Sequence, residues 1–467
     1  MTEQQPASRP INLHLRPKSA IAPAVFDRLD RVQDEVEEAE EQRRRRDVET
    51  KGRFRSCLRA LCLDLDAAYR LDPSMVIGVR RDNSAVTRNP AYPDFVTARP
   101  FLDALNGLIK TNHIEHVSTG TEASGRTSRV RGTPKLRECL RIGEFSIPEL
   151  EDHSDLIRLK LGKKDAKKRV RVIEDDHTRG WRHNLERINE TNGNYSICIE
   201  LSASVWEKME SERRAKALIR AGSERKPFAY EHVNFAKTRL YRSFASRDWK
   251  LGGRFYGAWW QSVPKEYRKH ITINEKATCE YDFSSLHLRL LYARVGAPVP
   301  HSTAPYDMPY GEQWRKEVKA AFNIMLNTKK SPRPELVPDF STAKMGMSWR
   351  TFLHGIREHH ITIKHFFNTE VGTELQRTDA DIAEAVLLQF ANMQQPCLPV
   401  HDSFITYATL ADEVEGITAR VALNVAGIEL PITQKHLTVQ SGMDGLVTDD
   451  ISALLEEMDI DRYRKNT

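Results

Sequence analysis

The chain has 467 residues, 40% of them apolar and 29% charged, with a net charge of +6. That length holds two to four domains and large cores. The composition excludes a low-complexity or fibrous chain, and no run approaches the roughly 18 apolar residues of a membrane span. The N-terminal MTEQQPASRP lacks a signal-peptide core, which points to the cytoplasm, and the six cysteines form no CxxC pair of a zinc site or disulfide framework.

In chain order, residues 1–50 read as a Pro-rich disordered tail followed by a charged, exposed helix over 25–48. Residues 51–150 read as a small helical module with a β-wing. A helix covers 52–70, and FLDALNGLIKTNHI is a second, amphipathic helix. IEHVSTGTEASGRTSRVRGTPKL then gives a strand, a Gly/Ser loop and a basic strand, the order of a winged helix.

Residues 151–250 form a basic α/β region. Ten Lys or Arg lie within 158–182, among them Lys163, Lys164, Lys167, Lys168, Arg169 and Arg171, a patch suited to a polyanion or to a solvated hairpin. VWEKMESERRAKALIRAG and HVNFAKTRLYRSFA are read as helices.

From residue 251 the texture changes. LGGRFYGAWWQSVP is rich in glycine and aromatics, and its adjacent Trp259 and Trp260 suit a core better than a base-stacking platform. A strand is expected over 275–283 and helices over 284–296, 311–328, 350–368, 373–391 and 411–426. A strand–turn–strand is expected at 396–408, and a short strand and helical tail over 427–467. His354, His359, His360 and His365 lack a carboxylate at ligand spacing and read as ordinary helix residues.

Two segments carry the chemistry. CEYDFSSLHLRLLYA places Asp282 where a strand hands over to a helix, with Ser284 and Ser285 suited to the cap. CLPVHDSFITYA places Asp402 in a hairpin turn, after His401. Two carboxylates brought together at strand ends are hard ligands for Mg²⁺, and the Phe283 carbonyl is a further one. The 311–328 helix aligns Arg315, Lys319, Asn323 and Asn327 on one face, a cationic stripe of the kind a triphosphate requires.

These segments resemble family A DNA polymerases, the bacterial DNA polymerase I type. DFSSLHLR is similar to that family's first palm motif, DYSQIELR. PVHDSF is similar to its third, VHDE, and to IHDSF of phage single-subunit RNA polymerases. GGRFYGAWWQSVP and ELQRTDADIAEAVL are similar to the TGRLS…LQNIP and MQGTAADI segments, and all four occur in family order between residues 251 and 410. The resemblance implies an α+β fold: a right-hand palm with an antiparallel sheet and reduced helical fingers over 251–467. The 151–250 region would then be thumb-like.

The resemblance also implies roles. Asp282 and Asp402 would hold two Mg²⁺ ions, with Mn²⁺ as an alternative. Arg315 and Lys319 would bind the triphosphate, while Arg254, Gln261, Gln376 and His401 would touch a primer–template. His287 stands where DNA polymerases carry a ribonucleotide-excluding glutamate, and Asn327 and Thr328 replace the usual Tyr-Gly. The implied activity is nucleotide addition to a primer 3′-end in a phage, plasmid or other mobile element. An RNA polymerase or primase using rNTPs is the first alternative to dNTP use. A non-catalytic DNA-binding initiator is the second.

Overall fold

The computed structural model describes residues 6–39, 46–118, 127–141, 150–162, 168–224, 230–337 and 340–437. The wing loop at 119–126, the lysines 163, 164 and 167, and the tail beyond residue 437 lie outside them.

The N-terminal body comprises β1 (Ser8–Pro10), β2 (Leu15–Pro17), α1 (Ala22–Glu38), α2 (Val48–Leu71), β3 (Val76–Arg80), α3 (Asn83–Thr87), α4 (Ala98–Lys110), β4 (Ile114–Ser118), β5 (Thr127–Gly132), α5 (Pro134–Cys139) and β6 (Leu150–Asp152). Its main sheet runs β1–β3–β5–β4, with β1 parallel to β3 and the other pairs antiparallel. The Asp47 side chain accepts the Thr50 N–H and starts α2, whose buried stripe packs on α4.

Two expectations change here. Residues 6–17 are ordered, because Ala7, Ile11, Leu13 and Leu15 are buried in the core beside β3 and α2. The first helix is not an exposed one. Val25, Leu29, Val32 and Val36 recur every three to four residues beneath its charges and are all buried.

The second body comprises β7 (Ile157–Leu161), β8 (Lys168–Val170), α6 (Asp176–Gly193), β9 (Ile197–Ile199), α7 (Ala203–Glu224), β10 (Tyr241–Phe244), β11 (Gly252–Tyr256), α8 (Lys265–Arg268), β12 (Ile271–Ile273), β13 (Lys276–Phe283), α9 (Leu286–Arg294), α10 (Arg315–Asn327), α11 (Thr342–Met345), α12 (Trp349–His359), α13 (Gly372–Asn392), β14 (Leu398–Val400), β15 (Ser403–Tyr407), α14 (Ala411–Ala426) and β16 (Ile432–Leu437). One sheet runs β11–β10–β7–β8. A larger antiparallel sheet runs β14–β15–β13–β12–β9, with β16 on the other side of β13. The fold is therefore mixed α+β with largely antiparallel sheets.

One hydrophobic core runs from Leu156 to Leu430, so the change in texture at residue 251 marks no separate core. HVNFAKTRLYRSFA is not a helix. Its second half is β10, held between β11 and β7 by sheet pairing that outweighs a helical spacing of apolar residues. The helix expected over 350–368 stops at His359 and continues as a 3₁₀ segment, Ile361–Phe366. Trp259 and Trp260 are both buried in the core. Among the described residues, no helix is long and apolar enough to cross a membrane.

Candidate active site

Asp282 is the penultimate residue of β13, and its partner across the ladder is Ser403 at the start of β15. The two residues before Ser403, His401 and Asp402, make the β14–β15 turn. The register alone therefore puts the second aspartate beside the first. His401 has φ +60° and Ser285 has φ +57°, left-handed conformations that non-glycine residues hold only where the surroundings enforce them. Ser285 precedes α9 without capping it, and Ser284 Oγ instead meets Thr433 Oγ1 at 2.7 Å.

Burial raises the Asp282 pKa, and the Asp402 charge raises it further. Lys435 and Lys319 act in the opposite direction. Lys435, on β16, forms an ion pair with Asp282 Oδ2. A third carboxylate, Glu280, lies two residues before Asp282 and so on the same face of the strand. Arg268 holds it through Nε at 2.7 Å and through its terminal nitrogen at 2.8 Å, and Ser403 Oγ donates to it at 2.9 Å. Burial would raise Glu280, but these partners keep it below the ordinary carboxylate range. That leaves Asp282 and Asp402 as the pair with charge to share. Both offer only oxygen donors, the type of ligand that hard divalent cations take. Among the described residues, no group of three or more His, Cys, Asp or Glu side chains is arranged to hold a metal.

The cationic side comes from α10. Lys319 is exposed, its charge is felt at Asp282, and its ammonium sits 6.0 Å from the Tyr306 ring centroid. Arg315 pairs with Asp307 at 2.7 Å. Tyr306 is fully buried, and its phenol is pushed up first by burial and then by Asp402, while Arg315 and Arg289 pull it down. Tyr306 thus feels the charges of both Arg315 and Asp402, with the Lys319 ammonium near its ring. Asn323 is half-buried on the same helix. Asn327 is turned away: its Nδ2 donates to the Asn323 carbonyl at 2.8 Å and its amide packs on Gly372 of α13.

A charge network engages two of the expected site residues, Arg254 and His287. Asp379 of α13 accepts from Arg254 Nε at 3.0 and 3.1 Å and from the Arg254 terminal nitrogen, and its Oδ2 is 2.9 Å from His287 Nε2. Arg254 and His287 meet at 3.4 Å. Arg254 and His287 are therefore committed to a buried carboxylate rather than held out toward a ligand, although Arg254 still feels the charge of Asp402. Gln261 is also committed. Its Nε2 donates to the carbonyls of Phe255 and Pro399, both at 3.1 Å, which ties the Trp259–Ser262 turn to β14. Gln376 lies half-buried one turn before Asp379, and His401 is exposed with its ring edge toward Tyr256 at 6.2 Å.

The sequence reading missed Lys435, Tyr306, Asp379 and the Glu280–Arg268 pair. Asp379 and Arg289 stand inside the quoted motifs and were open to notice. Lys435 sits in a short polar strand with no local signal, and only the β13–β16 pairing brings it to the site. Among the histidines noted above, His360 Nδ1 meets Tyr292 Oη at 3.0 Å in the core, and His359, the last residue of α12, stacks on His301. No family model matches the chain, and no curated protein matches it.

Proposed function

We propose that the chain is a template-dependent nucleotidyltransferase of the family A DNA polymerase type, adding nucleotides to a primer 3′-end. One observation carries this reading. The β13–β15 register sets Asp282 beside Asp402, and the charge of Lys319, on a separate helix, is felt at Asp282. In this reading the larger sheet is the palm, α10 belongs to reduced fingers, and the β4–β5 hairpin is the wing of a winged-helix-like module that touches nucleic acid.

Asp282 and Asp402, with the Phe283 carbonyl, would hold two Mg²⁺ ions, Mn²⁺ serving as a substitute. Those ions supply a lower pKa for the attacking hydroxyl and neutralise phosphate charge. The protein's own groups do the rest. Lys319 and Arg315 hold the β- and γ-phosphates as the 3′-hydroxyl oxygen bonds to the α-phosphorus and pyrophosphate leaves. Lys319 or His401 would give the leaving group its proton. Arg254, fixed by Asp379, would support the carboxylate side, while the exposed His401 and the half-buried Gln376 would meet a primer–template.

Primer extension with Mg²⁺ tests the reading. Asp282→Ala and Asp402→Ala should each lower incorporation by at least about 10³-fold. Incorporation that survives both substitutions together would overturn the assignment.

A second reading, ribonucleotide use by an RNA polymerase or primase on the same palm, draws on His287. DNA polymerases of that type carry a glutamate at this position, where the present chain has a histidine that meets Asp379. Extension with separate dNTP and rNTP pools decides between them, and a strong preference for dNTPs rejects this second version.

A further inference from the structure

The ladder between β13 and β16 is irregular. Asp282 faces Thr433 and Tyr281 faces Gln434, but Glu280 faces His436, so Lys435 is the extra residue of a β-bulge. Bulges re-aim a side chain, and here the redirected ammonium reaches the Asp282 carboxylate. The pair is about a fifth to a quarter exposed on each side, so solvent and ions reach it. Lys435 also contributes to holding Glu280 in its charged form. The same carboxylate oxygens are the donor set for a divalent cation, and Asp282 Oδ2 cannot hold an ammonium and a metal at full strength together.

We propose that Lys435 is a built-in counterion that a divalent metal displaces from Asp282, so that this lysine sets how tightly the carboxylate pair takes its metal. The proposal rests on the metal-binding reading of Asp282 and Asp402. Without metal, the ammonium relieves the repulsion between two partly buried carboxylates and keeps β13, β15 and β16 together. With metal, Asp282 turns to the cation and Lys435 is released toward solvent and the open face of the site.

The full chain, without nucleotide, is titrated with Mn²⁺ by calorimetry. Lys435→Gln should tighten Mn²⁺ binding about 5-fold, as expected for removing one partly exposed competing charge, while Lys435→Arg should stay near the parent value. In chelator, Lys435→Gln should unfold at a lower temperature than the parent, and Mn²⁺ should raise its midpoint by more. A second measurement needs no variant. Acylation of Lys435 by a small amine reagent, read by peptide mass spectrometry, should rise several-fold when Mn²⁺ is added.

If Mn²⁺ binds and Asp282→Asn removes that binding, but Lys435→Gln does not tighten it and Mn²⁺ leaves Lys435 acylation unchanged, the counterion proposal alone falls. If no Mn²⁺ binding depends on Asp282 or Asp402, the metal reading falls and takes the proposal with it.

Discussion

Asp379 shares one buried carboxylate between Arg254 and His287, and among the described residues no other carboxylate pairs with either. Replacing it with Asn leaves a guanidinium desolvated beside a weak acceptor. Asp379→Asn should therefore cost roughly 3–5 kcal/mol, read as a lower urea midpoint. His360 offers a pH handle in the same body. It is fully buried, and burial, aided by nearby His359, pulls its pKa down to about 3 from 6.5. The unfolded chain binds that proton below about pH 6.5 and the folded chain refuses it until about pH 3. Stability should thus be complete at pH 7 and decline as the pH falls through that window, by a few kcal/mol at its end. Melting curves from pH 7 to 5 check this, and His360→Leu should flatten the slope.

At the scale of elements, Gly257 closes β11 with φ +117°, and a Cβ there would sit 2.7 Å from the Arg239 carbonyl oxygen and 2.8 Å from the Tyr241 ring. Gly257→Ala should combine backbone strain with this clash and cost about 2–4 kcal/mol, again visible as a shift in urea midpoint without a change of slope. Much of this body was legible in advance. β13, the β14–β15 hairpin, α10, α13 and α14 fall within a few residues of where apolar periodicity and turn residues put them. What the sequence hid was pairing across long separations. β10 has a helix-like apolar spacing yet joins a sheet. β16 has no pattern of its own, so its lysine was invisible to local reasoning. In the site, the two carboxylates and Lys319 were legible because strand ends and helix faces are local properties. The commitments of Arg254, Gln261 and Asn327 were not, because each depends on which distant acceptor packs nearest.

At the scale of the whole chain, two hydrophobic cores meet along one seam. Ser8 and Tyr230 exchange backbone hydrogen bonds at 2.8 and 3.1 Å, Tyr230 is buried in the N-terminal core, and Arg9 bridges Asp64 at 2.7 Å and Glu231 at 3.2 Å. A cleft of about 290 Å³ opens beside this contact, lined by Arg9, His14, Arg158, Arg169 and Lys237 among others. Glu231→Ala should leave each core intact and loosen the seam. Scanning calorimetry should then resolve a lower-melting transition for the N-terminal body, at a cost of about 1–3 kcal/mol.

The position of β16 bears on how the chain is made. A ribosome releases residues from the N-terminus onward, so β13 emerges well before the strands that cover its two edges. β15 follows more than a hundred residues later and β16 later still. Through that interval the strand carrying Asp282 is paired only near its start, with β12, and has most of its hydrogen-bonding edges open and no counter-charge from Lys435, a state prone to mispairing with other chains. Synthesis slowed between residues 283 and 437 should accordingly yield more aggregate than synthesis slowed upstream of β13. Pausing the nascent chain on either side of that interval and measuring the soluble fraction tests this directly.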